Sequence, residues 1–367
     1  MTQLSALLAL IARNLRLASR RRDLLIQTVA VPVVVLGLAS IIFGGSDAWP
    51  IAVVDESDSA ASHRLVQALD QTHGATGPYF HTLTTDAEQA DAMLRDGRLQ
   101  LIVTIPEDFA STHEILTHTY NINTDAMKNV RLRLTTAANL YDELARIDGV
   151  SATVVTERPT FVTRTAFMGG SAVILALLLG AALISANLYA VETEHRTRKE
   201  MALTPLGTGL AAAGAAISGW LLSLVTAIPT LLLALAFGTR ATGLDLAQAA
   251  LIMLPAGLAS AGVGVLTAIG LRTHRLIQPT LILLALGSYF ASGGFMSVSA
   301  LPPLARTVAD WWPVSYVFEW TNPVLHGFEA APSGLTIAAV WTAAVAANLG
   351  AMVAASRDYR HATVSGQ

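Results

Sequence analysis

The chain has 367 residues, of which 53% are hydrophobic and only 13% charged, against roughly a quarter charged in soluble domains. Its net charge of -3 and its two lysines supply no polybasic run that could grip phosphates, so nucleic acid is set aside as a partner. Cysteine is absent, which removes disulfides, thiol catalysis and cysteine zinc sites together.

The apolar residues are gathered in long uncharged runs rather than spread at core-forming periods, the pattern of a polytopic membrane protein. Residues 1–23 come first. Leu4, Leu7, Leu8, Ile11 and Leu15 recur at helical spacing while Arg13, Arg16 and Arg20 point elsewhere, which predicts a helix lying in the membrane interface. Leu24 to Phe43 are twenty residues without a charge, and at ~1.5 Å per residue they cover the ~30 Å of hydrocarbon. The run is too long and its leader too extended for a cleaved signal peptide, so it reads as the first span.

Residues 44–165 alternate strand and helix signals. Pro50 to Asp55 reads as a strand, Ser59 to Gln71 as a helix with an N-cap serine, and Phe80 to Leu83 as a strand. Asp86 to Arg95 reads as a helix closed by Gly97, Leu99 to Ile105 as a β-branched strand, Ile115 to Ile122 as another strand, and Asp125 to Arg146 as a long helix. A small α/β domain follows. Within it His113-Glu-Ile-Leu-Thr-His118 imitates the HExxH zinc motif but misses by one residue. A spacing of five turns the second imidazole ~140° away from the first, so the two histidines read as a surface pair.

Residues 166–356 hold the other apolar runs: Ala166 to Val191, Gly207 to Phe237, Leu246 to Leu271, Leu276 to about Met296, and Gly334 to Ala355, with a tail at 357–367. The predicted fold is therefore an α-helical integral membrane protein of six transmembrane helices, with the α/β domain inserted between the first two. Twelve of the 23 basic residues fall on the side of the N-terminus, two on the short opposite connections, and nine in the long 44–165 segment, which as a translocated domain is exempt from the count. Both termini are thus expected in the cytoplasm and the α/β domain outside. Trp49, Trp311, Trp312 and Trp320 fall beside the expected outer boundaries, where amphipathic rings collect.

Inside the spans, Gln27, Asn187, Thr226 and Gln278 are polar groups that could line a substrate path or serve as interhelical hydrogen-bond partners. Small residues in Ala211 to Gly219 and Gly257 to Gly264 permit close helix packing and hint at a dimer interface. No acidic or basic side chain stands mid-span, which argues against a proton-coupled carrier. Neither a phosphate-binding loop nor a nucleophile elbow occurs, so if ATP drives the protein another chain binds it.

Between the second and third spans lies Glu192-Thr-Glu-His-Arg-Thr-Arg-Lys-Glu-Met-Ala-Leu-Thr-Pro205, in which both charge signs are concentrated. On charge alone it reads equally as a solvated loop or as a protein-docking element. The segment resembles the cytoplasmic signature of the ABC-2 type permease family, approximately E-R-E-x-G-T-x-E-x-L-x-x-S-P. Glu192, Glu194, Thr197 and Pro205 fall in register, Thr204 stands for serine, Arg196 for the usual glycine and Lys199 for an acid.

Ile51-Ala-Val-Val-Asp-Glu56 and Ile105-Pro-Glu-Asp-Phe109 are similar to the outer domain of the subgroup with a large loop after its first helix. Gly293-Gly-Phe-Met296, Leu301-Pro302 and Trp312-Pro-Val-Ser-Tyr316 resemble the end of that family's fifth helix and its outer re-entrant segment, here 297–330. The resemblance implies a permease subunit of an ATP-driven exporter in a bacterial inner membrane, acting as a homodimer or heterodimer. It implies that the loop 192–205 is a coupling helix that docks on a separate ATP-binding subunit, which holds the ATP and Mg while this chain carries no cofactor, metal or catalytic residue of its own. Drugs, lipids and other amphipathic molecules are the substrate classes implied. The reading from another class is a membrane-anchored sensor that binds a ligand with its α/β domain.

Overall fold

A computed structural model describes residues 3–43, 48–74, 77–119, 124–145, 162–194, 207–295, 298, 301–327 and 331–364. The chain divides into two units, residues 1–44 with 162–367, and residues 45–161.

The first unit opens with α1, Gln3–Arg20. This helix buries Ala6, Asn14 and Ala18 and leaves Leu4 and Leu8 largely exposed. Helix α2, Arg22–Phe43, follows after a single residue and is long and apolar enough to cross a membrane.

The second unit is a four-stranded sheet in the order β4-β1-β5-β6, with a separate two-stranded ribbon of β2 and β3 at His73–Gly74 and Gly77–Pro78. Strand β1, Trp49–Asp55, runs parallel to β4, Phe80–Thr84, and to β5, Leu101–Ile105, while β6, Leu116–His118, pairs antiparallel to β5. The period-two alternation sorts the central strands between two cores. Ile51, Val53, Leu101 and Val103 pack against α3, Ala60–Gln71, and α6, Thr124–Ala145, together with Phe109 of the single turn α5, Phe109–Thr112. Ala52, Val54 and Ile102 pack on the other face against α4, Ala87–Arg95.

The turn from β1 into α3 is organised by Asp55. Its Oδ1 accepts the backbone N–H groups of Ser57 and Asp58 at 3.0 and 3.1 Å, and its Oδ2 accepts the Ser62 hydroxyl at 2.6 Å. Ser62 in turn closes a capping box with the expected N-cap Ser59. Asp55→Ala should destabilise this unit by about 2 kcal/mol, since three charge-assisted bonds are lost and two backbone donors are orphaned at the helix entry. Hydrogen exchange should report it as faster exchange confined to β1 and α3.

Of the strand expected over Ile115 to Ile122, Leu116, Thr117 and His118 pair with β5, while residues 120–122 lie outside the described residues. His113 closes α5 in the left-handed conformation and His118 ends β6, so the two histidines do not share a helix face.

The remaining helices return to the first unit. Helix α7, Arg164–Glu194, is its axis, buried on nearly every face among the described residues. The third expected span is divided into α8, Gly207–Thr226, and α9, Ile228–Ala236. Pro229 cannot donate to the ladder and its ring crowds the preceding turn, which accounts for the break. Helix α10, Gly243–Leu271, begins with a Thr242–Asp245 capping box and ends at Arg272, whose guanidinium reaches Asp358 at 2.8 Å. That residue lies on α14, Gly334–Val364.

Five helices among the described residues are long and apolar enough to cross a membrane: α2, α7, the α8–α9 pair, α10 and α14. The fifth of the six expected spans, Leu276 to about Met296, is instead the shorter apolar helix α11, His274–Ala291. Its ladder stops because the chain turns at Gly293, whose φ of 94° only glycine adopts without strain. The expected outer segment contains two further helices, α12, Pro303–Trp311, and α13, Pro313–Leu325.

The small-residue faces are used within the chain. A Cβ on Gly219 would lie 2.6 Å from the backbone nitrogen of Ser185, and one on Gly264 would run into the carbonyl of Ala182. Both neighbours are on α7. Ser185 donates at 2.8 Å to the carbonyl of Ala261 on α10, so α7, α8 and α10 meet around one residue, Ser185. These stripes therefore explain close packing inside a protomer and carry no argument for a dimer contact.

Candidate functional site

Helix α7 ends at the charged segment, and its last described turns are held from the side. Glu192 is only 6% exposed and its carboxylate is ion-paired with the guanidinium of Arg13 on α1. A carboxylate at that depth is costly without a counter-charge, and Arg13 of α1 supplies it. Partial burial of Arg13 also pulls its pKa below the ordinary arginine value. Arg16, Arg20 and Arg21 line the same hollow with Leu17 and Val191, a strongly cationic corner beside the end of α7. Glu194 is the last residue of α7, and its side chain lies outside the described residues, as do Thr197 and Pro205.

The four polar residues expected within the spans separate. Gln278 donates to the side-chain oxygen of Asn187 at 3.1 Å, and Asn187 donates to the carbonyl of Leu183 at 2.7 Å, so these two form one bridge between α11 and α7. Thr226 donates to Ser223 at 3.3 Å and lies close to Gly180 of α7 at the end of α8. The Oε1 of Gln27 on α2 is buried without a hydrogen-bond partner among the described residues.

A cavity of about 450 Å³ lies elsewhere in the unit, and none of these four residues lines it. Its floor is Leu178, Leu179 and Ala182 of α7 with Ala256 and Ser260 of α10; one side is Leu281 and Ala285 of α11; another is Val340 of α14. Trp311, Trp312, Tyr316 and Trp320, from α12, α13 and the residue joining them, complete the wall. Trp312 is fixed by its indole N–H, which donates at 2.9 Å to Ser288 of α11. The size falls within the range of small-molecule sites. Reading the sequence for buried polar groups misses this cavity because its lining is almost wholly apolar; the aromatic cluster at 311–320 was the available signal.

Polar ties hold the surrounding helices in register. Ser171 and Asn322 hydrogen-bond each other between α7 and α13, Thr208 donates to Ala355 between α8 and α14, and Ser260 donates to Leu178 between α10 and α7. Such bonds contribute on the order of 1 kcal/mol each within a bilayer and specify which helix faces meet.

Residues 22–355 match a family model described as ABC-2 family transporter protein. No curated protein matches the chain.

Proposed function

The chain belongs to the ABC-2 family of transporter proteins, and from that premise we propose that it is the permease subunit of an ATP-driven exporter. It is a multi-pass membrane protein with a transport role. In the proposed reading two permease copies, identical or paired with a related chain, work with a separate ATP-binding subunit that holds ATP and Mg. They move a drug, lipid or other amphipathic molecule out of the cytoplasm or inner leaflet of a bacterial inner membrane.

The observation that carries this is the Arg13–Glu192 pair. Glu192 opens the charged segment 192–205 and at the same time belongs to α7, the most buried helix of the bundle. A force applied to that segment by a partner enters the bundle at its axis, and α1 braces the entry point. In this mechanism the segment is the coupling element, with Glu194, Thr197 and Pro205 in the docking surface, and both termini are cytoplasmic. A change in the ATP-binding subunit rocks α7 against its neighbours and exchanges inward for outward access. Asn187 and Gln278 bridge two of the moving helices, so their bond reports on, or gates, that exchange. In this reading the α/β unit is extracytoplasmic.

Co-purification of the full chain with the ATP-binding subunit, followed by ATP hydrolysis in lipid, tests the assignment. A stable complex whose hydrolysis rises several-fold with an amphipathic substrate is expected. Absence of both association and stimulation would sink it.

A further inference from the structure

The apolar cavity walled by α7, α10, α11 and α14 has a property that the transport reading does not use: its hydroxyl groups already donate to the protein itself. The Ser260 hydroxyl donates to Leu178 at 2.8 Å, and the Ser288 hydroxyl donates to Leu284 at 2.8 Å while accepting the Trp312 indole N–H. The Tyr316 hydroxyl is bound to the carbonyl of Asp310 at 2.7 Å. Beyond the indole N–H groups of Trp311 and Trp320 at the aromatic wall, a polar ligand would find little to bond, and a water cluster needs two to four polar partners per molecule. Left empty, the walls would forfeit their dispersion contacts. Hydrocarbon is what this lining suits.

The cavity also opens in a defined direction. Val263 and Leu284 belong to its wall and are 41% and 42% exposed, so the wall includes residues of the open apolar surface of these helices, on which Leu283 is 70% exposed and Val345 52%. In a membrane protein that surface meets lipid tails. At the edge stands Trp311, 85% exposed, an amphipathic ring of the kind that settles at headgroup level. We infer that this cleft holds one acyl chain of a bilayer phospholipid, admitted sideways, with the indoles at 311 and 312 at its headgroup end. The site is complete within one protomer. It rests on the membrane-spanning reading of the helices and is independent of the direction of transport or the identity of the cargo.

The test uses the full-length chain in nanodiscs of phosphatidylcholine that carries a photoactivatable diazirine midway along one acyl chain, with adducts mapped by peptide mass spectrometry. Adducts are expected on Leu178 and Ala285 within the cleft as well as on outward-facing Leu283 and Val345. Ala259→Phe, which places a ring in the cavity, should lower the Leu178 and Ala285 adducts at least five-fold and leave Leu283 and Val345 unchanged; the latter two show that the variant is still folded in the bilayer. Labelling confined to Leu283 and Val345 in the parent chain would overturn the proposal, whatever the variant does. Because the chain has no cysteine, Ala343→Cys at the cleft wall also tests whether a second copy of the chain sits there. An efficient intermolecular disulfide through that position would assign the cleft to a protein contact and overturn the lipid site, and loss of ATPase association would leave the adduct pattern unaffected.

Discussion

Gly264→Ala is expected to destabilise the helix bundle by about 3 kcal/mol and to abolish transport, whereas Gly270→Ala on the same helix should be neutral or slightly stabilising. The contrast follows from what each new methyl would meet. At Gly264 it would enter the space of the Ala182 carbonyl and lie 2.6 Å from the Ser185 hydroxyl, while at Gly270 nothing stands within 4 Å. The carbonyl is part of the α7 ladder and cannot swing aside, so α10 must move away from α7 as a body. That movement stretches the bond from Ser185 to Ala261 and disturbs the contact of Ser185 with Gly219. A small steric change is thereby converted into a three-helix defect, since packed interiors do not deform continuously. Thermal midpoints of the two variants in nanodiscs decide the matter, and equal midpoints would mean that α7 and α10 do not approach as closely as described.

The same junction shows how far the sequence could be read. The uncharged runs locate most of the membrane helices, because length and absence of charge are properties of a segment by itself. In the α/β unit, alternation at Ile51, Ala52, Val53 and Val54 and the capping serine at Ser59 similarly foretell β1 and the start of α3. What escapes is whatever depends on which side of a helix meets which neighbour. A span that is apolar all round carries no stripe to indicate its facing, so nothing marks Ser185 as a meeting point or Leu178 and Ala285 as opposite walls of a cleft. Gln278 and Asn187 stand out as polar residues, yet only the fold shows that they bond to each other. The shortened α11 escapes for a different reason. Gly293 and Gly294 lie within an uncharged run that length and charge alone assign to a continuing span, whereas the chain turns at Gly293 with a positive φ.

Reversing the Arg13–Glu192 pair should have the largest effect on stimulated ATP hydrolysis that leaves the bundle folded. Arg13→Glu places two carboxylates together and Glu192→Arg places two guanidinium groups together, one member of each pair being nearly buried at residue 192. Like charges at such a site cost about 2 kcal/mol or more, with the exposure of Arg13 keeping the figure below that of a fully buried pair. Either single reversal is expected to free α1 from the end of α7 and to lower substrate-stimulated ATP hydrolysis at least ten-fold. The bundle itself should persist, because its other interhelical ties, such as Ser171 with Asn322 and Thr208 with Ala355, lie elsewhere. The exchanged pair, Arg13→Glu with Glu192→Arg, restores attraction across the same gap and should recover a substantial part of the stimulation. The coupling energy from the four-cornered cycle separates the pair from whatever else each residue touches. Basal hydrolysis by the ATP-binding subunit supplies the internal reference: it should stay constant across the cycle, since the hydrolytic site is on the other chain. Recovery in the exchanged pair would identify the attraction between α1 and α7 as the element that transmits the signal, and an exchanged pair no better than the single reversals would take it out of the coupling route.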